Sequence, residues 1–319
     1  MIDKHDFSIK RLDKTTDVGQ MAELIDLCFG QQMDPDGKKY LNYLRNLASE
    51  KNQIIASFSN ALTYSTAIDG FVSRVDGQLI GNVNISPYQN GSERTLFISN
   101  VAVHPDFRSQ GVAKKLLQQV INYASQSHFS SLWLQVRKEN EIAMHIYSSI
   151  GFEERVIRNT WVIQPTHPLA IEKSPALNII KRRYSDWNKQ EEWLRKMYPE
   201  EIQWQMEMNF SNFKPQIGQW ISNAIAGRYF LHWSFIQQQQ LVGLLTWQPS
   251  FHYADQLWLA AEDGFEDQII DNVFPYVQRQ VRTKKPLMIN LPEGIADKTL
   301  PKLGFEKIHT LVWMIKQIN

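Results

Sequence analysis

Residues 104–117 read HPDFRSQGVAKKLL, and their types and spacing suit the binding of an anion. Arg108, Ser109 and Gln110 lead into Gly111, Val112 and Ala113 at the head of an apolar-periodic stretch. A helix N-terminus presents unpaired backbone N–H groups and the positive end of its dipole, so a strand-loop-helix turn is a ready phosphate site. Small side chains at Gly111 and Ala113 let a pyrophosphate reach those N–H groups, with donors in the preceding loop. The same glycine also serves simply to break a loop ahead of a helix. The spacing is neither G-x-x-x-x-G-K-[ST] nor G-x-G-x-x-G, so a P-loop and a Rossmann turn are both unsupported.

The elements that must hold this loop alternate between strand and helix, the mark of an α/β unit. SIKRL reads as a strand, DVGQMAELIDLCFG as a helix and KYLNYLRNLAS as a second helix. DGFVSRVDGQLIGNVNIS folds as a hairpin about Asp76 and Gly77. TLFISNVAV is a strand, Val112–Gln126 a helix, SLWLQV a strand, EIAMHIYSSI a helix and RVIRNTWVI the last strand. In Val112–Gln126, Val112, Leu116, Leu117, Val120, Ile121 and Ala124 share one face, and Lys114, Lys115, Gln118, Gln119 and Asn122 share the other.

Composition narrows the function. The 319 residues are 43% hydrophobic and 21% charged, enough for a full core and long enough for two domains. With 34 basic and 33 acidic residues the net charge is +1, no footprint for nucleic acid or an anionic membrane. The single cysteine, Cys28, excludes an intrachain disulfide framework and a cysteine cluster for zinc, and it reads as core filler on an apolar helical stripe. No metal is expected. No signal peptide and no membrane span is readable, so the cytoplasm is the expected location.

The two halves repeat one another across the proline-rich stretch QPTHPLAIEKSPAL, residues 164–177. Gly81 and Pro87 answer to Gly243 and Pro249 at an offset of 162, and Gly151 and Phe152 to Gly304 and Phe305 at an offset of 153. The second copy has therefore lost nine residues, expected where the phosphate loop should be. Residues 1–165 and 176–319 are the expected domains.

VAVHPDFRSQGVA resembles the acetyl-coenzyme A signature of the GNAT acyltransferase superfamily, [RQ]-x-x-G-x-[GA], filled here by Arg108, Gly111 and Ala113. NEIAMHIYSSIGF is similar to the family's N-x-x-A-x-x-[FLI]-Y-x-x-x-G-F, with Asn140, Ala143, Ile146, Tyr147, Gly151 and Phe152 in place. The resemblance implies an α/β (α+β) fold of two tandem GNAT-like domains, each a mixed, mostly antiparallel central sheet flanked by helices. It implies that Val101, Ala102 and Val103 pair with the pantetheine arm. Arg108, Ser109, Gln110, Gly111, Val112 and Ala113 would hold the pyrophosphate, and Asn140 would meet the pantetheine or adenosine end. Tyr147 matches the position whose phenol serves as general acid to the departing thiolate. From the residues alone, Asn140 is equally a helix N-cap and Tyr147 a partly buried helix aromatic. The strand before the loop offers Phe97, Ser99 and Asn100 but no carboxylate, and no general base is named. His145 reads as an exposed helix residue and Glu93 as part of the hairpin turn NGSER.

In the second half the loop position reads EDGFEDQIIDNV, whose carboxylates would repel a pyrophosphate. A degenerate GNAT-like domain is expected there. Eight of the ten tryptophans lie in this half and read mainly as core. The resulting expectation is an acetyl-coenzyme A-dependent N-acetyltransferase acting on a small-molecule or peptide amine. A non-catalytic coenzyme A-binding sensor is the alternative, and monomer and homodimer both stay open.

Overall fold

The computed structural model describes residues 7–49, 68–90, 93–165, 177–206, 210–215, 218, 229–281 and 283–318. The chain divides into two compact units, Met1–Val156 with Val312–Asn319, and Ile157–Leu311.

In the first unit, β1 (Ser8–Arg11), β2 (Gly70–Val75), β3 (Gln78–Asn90), β4 (Glu93–Val103) and β5 (Ser131–Arg137) lie side by side in that order. Pairing is antiparallel as far as β4, and β4 with β5 is parallel. The next neighbour of β5 is β12 (Glu306–Gln317), whose residues from Val312 onward belong to this unit. There Trp313 meets Trp133 edge-on at 6.5 Å, and Ile318 N–H donates to the Ser130 carbonyl at 2.9 Å.

Two helices, α1 (Val18–Phe29) and α2 (Pro35–Ala48), cover one face of this sheet. Asp34 starts α2 by accepting the Gly37 N–H at 2.7 Å, with Pro35 at the first helical position. Met21, Leu24 and Ile25 of α1 pack with Leu41 and Leu44 of α2 and with Val72, Leu79 and Ala102 of the sheet. The opposite face receives α3 (Val112–Gln126). A Cβ at Gly81 would stand 2.8 Å from Val112 Cγ1 and 3.0 Å from Leu116 Cδ1, so only glycine permits this close seating. After β5 come α4 (Glu141–Ser149) and the turn into β6 (Glu153–Ile163).

The second unit repeats the plan with β7 (Asn178–Lys181), β8 (Leu231–Gln237), β9 (Gln240–Gln248), β10 (Asp255–Ala261) and β11 (Leu287–Pro292). Again the pairs are antiparallel except the last, β10 with β11, which is parallel. Its helices are α5 (Trp187–Met197), α6 (Glu200–Gln203), α7 (Glu266–Gln280) and α8 (Thr299–Lys302). Gly243 does for α7 what Gly81 does for α3, since a Cβ there would meet Ile269 Cδ1 at 2.3 Å. Trp187, Trp193, Trp233 and Trp258 are buried in its core, whereas Trp313 belongs to the first unit and Trp220 lies outside the described residues.

The sequence reading divides the chain at 165 and 176, but the compact units change over at Val156/Ile157 and again at Leu311/Val312. The reason is strand pairing. Beside β11 lies not the chain's last strand but β6, paired antiparallel through Arg158 to Ile163. The last strand, β12, closes the first unit instead. Of the proline-rich stretch, residues 166–176 lie outside the described residues. Cys28 is half-buried and packs against the core beneath α1 and α2, and its thiol donates to the Val103 carbonyl at 3.4 Å. Glu93 opens β4, opposite Asn90.

Candidate active site

β4 and β5 are joined through Thr95↔Ser131 to Ile98↔Leu134, and beyond that pair they part while β4 runs on to Val103. On its other edge β4 stays paired to β3, with Ala102 opposite Asn82 and Val103 opposite Gly81. Val101, Ala102 and Val103 thus line a strand edge that has left its parallel partner. A shift of register between Asn82 and Asn84 marks a bulge on β4, and Asn100 adopts φ 48° there.

The loop after β4 makes a short 3-10 turn, Pro105–Phe107, and then takes two left-handed residues, Ser109 at φ 60° and Gly111 at φ 81°. Such alternation turns successive N–H groups into a concavity suited to an anion. The first hydrogen bond of α3 joins Lys115 N–H to the Gly111 carbonyl at 3.0 Å, so the N–H groups of Val112, Ala113 and Lys114 precede the helical ladder. Apart from its two chain neighbours, no atom of the described residues stands within 4 Å of where a Gly111 Cβ would be. The glycine is therefore required by its backbone angle, and the room beside it is open. Arg108 is exposed and lies back along the strand, Nε 3.3 Å from the Val103 carbonyl and Nη2 3.9 Å from Cys28 Sγ. Gln110 Nε2 donates to the Asp106 carbonyl at 3.1 Å.

Asn140 caps α4 by accepting the Ala143 N–H at 3.2 Å. Tyr147, on that helix, is 7% exposed and stands edge-on to Phe152 at 6.0 Å. Burial pushes its phenol up to about 12, so it is neutral throughout the physiological range. His145 is exposed, and His104 Nδ1 takes the Asp106 N–H at 3.4 Å. Among the described residues no group of three or more His, Cys, Asp or Glu is placed to hold a metal ion, and no helix is long and apolar enough to cross a membrane.

The second unit has the same frame with different occupants. β10 and β11 pair only through Asp255↔Leu287 to Leu257↔Ile289, and they part like their counterparts. Here the chain uses the parting itself: fully buried Tyr198 takes the Leu259 N–H on its hydroxyl at 3.2 Å and packs edge-on to Trp258 at 5.2 Å. Gly264 has φ 85°, matching Gly111, but its N–H is bonded to the Glu266 carboxylate at 2.8 Å. Where Phe152 N–H reaches the Tyr147 carbonyl at 3.1 Å, Phe305 N–H reaches the carbonyl of Leu300 at 3.1 Å, so a buried leucine stands at the tyrosine's place.

Landmark by landmark, the nine missing residues are distributed rather than gathered in the loop. Ten residues separate the paired Ser86 and Phe97 but seven separate Gln248 and Gln256, a loss of three. One more is the bulge, absent from the unshifted β9–β10 ladder. The remaining five are lost between Ala261 and Gly264, against Val103 and Gly111. Sequence reading missed Tyr198, Glu266 and Leu300; the last was visible as the offset partner of Tyr147.

Residues 40–152 match the family model described as Acetyltransferase (GNAT) family. Among curated proteins, the [Ribosomal protein bS18]-alanine N-acetyltransferase of Haemophilus ducreyi is 47% identical over 73 residues, covering 23% of this chain and 49% of that protein. The Escherichia coli protein of the same name is 41% identical over 69 residues, covering 22% and 45%. The chain thus spans about half the length of these relatives. The Haemophilus influenzae protein of that name is 29% identical over 154 residues, covering 48% and 83%. Among solved structures, a GCN5-related N-acetyltransferase from Sphaerobacter thermophilus superposes with TM-score 0.57 at 14% identity, covering 99% of this chain and 96% of that one. A tandem GNAT protein from the clavulanic acid biosynthesis pathway gives 0.52 at 14%, covering 98% and 99%. These two are likenesses of fold.

Proposed function

The segment 40–152 is a domain of the GNAT acetyltransferase family, and from that premise we propose that the chain is an acetyl-coenzyme A-dependent N-acetyltransferase whose working site lies in the first unit. The observation that carries the reading is the parting of β4 from β5 just ahead of a loop and helix whose N–H groups are open to an anion. Residues 108–113 would hold the pyrophosphate, and the freed edge at Val101, Ala102 and Val103 the pantetheine arm. Asn140 holds the start of α4, and with it the segment that carries Tyr147. Bound there, acetyl-coenzyme A supplies a thioester carbonyl to an amine.

In the reaction a C–N bond forms and the C–S bond breaks, its electron pair leaving on sulfur, while the surplus proton of the amine goes to water. Tyr147 would donate a hydrogen bond to that sulfur. Full proton transfer from a phenol at about 12 to a thiolate of ordinary pKa about 8.5 is uphill by roughly 5 kcal/mol. Tyr147 therefore stabilises the leaving sulfur as a hydrogen-bond donor, and the thiolate takes its proton from solvent as it departs. The relatives' names place an alanine amino group of a ribosomal protein among amines worth testing, beside small-molecule amines. A lone cysteine and balanced charge fit action in the cytoplasm.

In the second unit, Tyr198 and Glu266 already engage the backbone groups that a cofactor would need. This supports reading it as a degenerate copy, with one cofactor site per chain. The test is calorimetric titration with acetyl-coenzyme A, followed by thiol-release assays with a panel of amines: a hexapeptide with a free N-terminal alanine, lysine, methylamine and spermidine. One site and turnover with a panel amine are expected. No binding would refute the site, and binding without turnover would favour the sensor reading.

A further inference from the structure

On the face of the first sheet covered by α1 and α2, three asparagine side chains join in one buried network. Asn82 Nδ2 donates to Asn84 Oδ1 at 3.0 Å and to the Asn100 carbonyl at 3.0 Å, and Asn100 Nδ2 donates to Asn84 Oδ1 at 3.1 Å. Asn84 Nδ2 is held in turn by the Asp69 carbonyl at 3.3 Å and Met21 Sδ at 3.5 Å. From α2 the Tyr40 hydroxyl hydrogen-bonds to the Asn100 side chain. Asn82 is 0% exposed, and its Oδ1 has no partner among the described residues. Burying an unpaired amide oxygen costs stability, and the left-handed backbone of Asn100 adds to that.

The second unit shows that the fold does not require any of this. At the ladder positions of Asn82 and Asn84 it has Leu244 and Thr246, and its β9–β10 ladder runs through without a bulge. The network and the bulge therefore belong to something the first unit does and the second does not. Their place says what that is. Asn100 lies two residues past Ile98, the last β4 residue paired to β5. If the phosphates sit at 108–113 and the arm runs back along Val103, Ala102 and Val101, the reacting end arrives beside Asn100.

We propose that Asn100, backed by Asn82, Asn84 and Tyr40, is the seat of the acceptor's amino group. This rests on the acetyltransferase reading above. Amide and phenol groups hold a primary amine through hydrogen bonds without fixing it as an ammonium ion, so its lone pair stays free to attack. The Asn82 Nδ2 hydrogen bond to the Asn100 carbonyl holds the bulge in shape.

Asn100→Gly retains the left-handed backbone and deletes the amide. Acetyl-coenzyme A affinity is read by calorimetry, and KM and kcat with the panel amine that wild type uses best. The expected result is a KM for the amine raised about tenfold, with the acetyl-coenzyme A Kd within twofold. Asn82→Leu, the second unit's residue, is expected to lower kcat/KM for the amine with the same unchanged Kd. Amine kinetics within twofold of wild type in both variants would overturn the proposal, as would a cofactor Kd that rises in step with the amine KM. A wild-type protein that binds acetyl-coenzyme A but turns over no panel amine would remove the catalytic reading and this proposal with it, an outcome distinct from failure of the variants alone.

Discussion

Two glycines in matching conformations allow the proposed cofactor loop to be tested against its own internal control. Gly111 has φ 81° and Gly264 φ 85°, and neither would bring a Cβ within 4 Å of a described residue other than its chain neighbours. Alanine at either position thus meets no clash and carries only the left-handed backbone cost, about 1–2 kcal/mol. For units of this size that lowers the melting temperature by about 2–4 °C per kcal/mol. The variants should differ only toward ligand. At Gly111 the new methyl projects into the open space beside the α3 N-terminus and would hold a phosphate away from at least one N–H. Losing one charge-assisted hydrogen bond of about 1.5–3 kcal/mol weakens binding about ten- to a hundredfold. At Gly264 the N–H is already bonded to Glu266, so nothing is lost. Thermal melting and calorimetric titration with coenzyme A should give equal melting shifts for Gly111→Ala and Gly264→Ala, with weaker binding in the first alone. Equal affinities in the two variants, or weaker binding in the Gly264 variant, would refute the assignment of the loop.

Tyr147→Phe removes a donor and leaves the ring and its contact with Phe152, so kcat should fall about ten- to a thousandfold with the acetyl-coenzyme A Kd within twofold; steady-state kinetics beside calorimetry decides this, and an unchanged kcat strips the hydroxyl of its role. Tyr40, Tyr147 and Tyr198 are each pushed up to about 12 by burial, from about 10 in the unfolded chain. Their protons are retained on folding, so the stability they contribute is fully present below pH 10 and is lost as pH rises toward 12, on the order of 2–3 kcal/mol each. Denaturant titrations at pH 9, 10 and 11 should show stability falling, and a flat profile would contradict the burial. A chain ending at residue 165 lacks Val312–Asn319, which the first unit needs beside β5, and should melt without cooperativity. Appending residues 306–318 through a flexible linker should restore a cooperative melt by circular dichroism, and a cooperative melt of the truncated chain itself would show the strand dispensable.

Local pattern made most elements of the first unit legible. Val112–Gln126 could be read to the residue because its apolar stripe is unbroken and Gly111 stops it at the N-terminal side. The Asp76–Gly77 turn was readable because two-residue hairpins need left-handed residues, which an Asp-Gly pair tolerates, and both residues are left-handed. Pairing between distant strands was not legible. β6 and β12 carry equivalent patterns, and nothing local tells either strand which neighbour to join. The proposed site draws from the sequence only what is tied to spacing, in 108–113, Asn140 and Tyr147. The Asn82–Asn84–Asn100 network was not, because it depends on a bulge, and a one-residue insertion in a strand leaves no periodic signature over so few residues. Tyr198 was hidden for a similar reason: it meets Leu259 across 61 positions of sequence.

The two copies separate what the fold requires from what the chemistry requires. Features present in both include the glycine under the helix, the left-handed glycine at the head of that helix, and the N–H of His104 or Glu262 bonded to Ile80 or Val242. These occur where one copy binds nothing on the present reading, so they cannot by themselves argue for a cofactor. A glycine in the right place is a property of the strand-helix handover. What the first unit has and the second lacks is a loop five residues longer, a tyrosine where the other has Leu300, and buried asparagines where the other has Leu244 and Thr246. Each of these raises the folding cost relative to its counterpart, through a longer loop, a buried phenol or an unpaired amide oxygen. A fold that demonstrably closes without them has no structural reason to keep them, and that favours the first unit as the place of the proposed site.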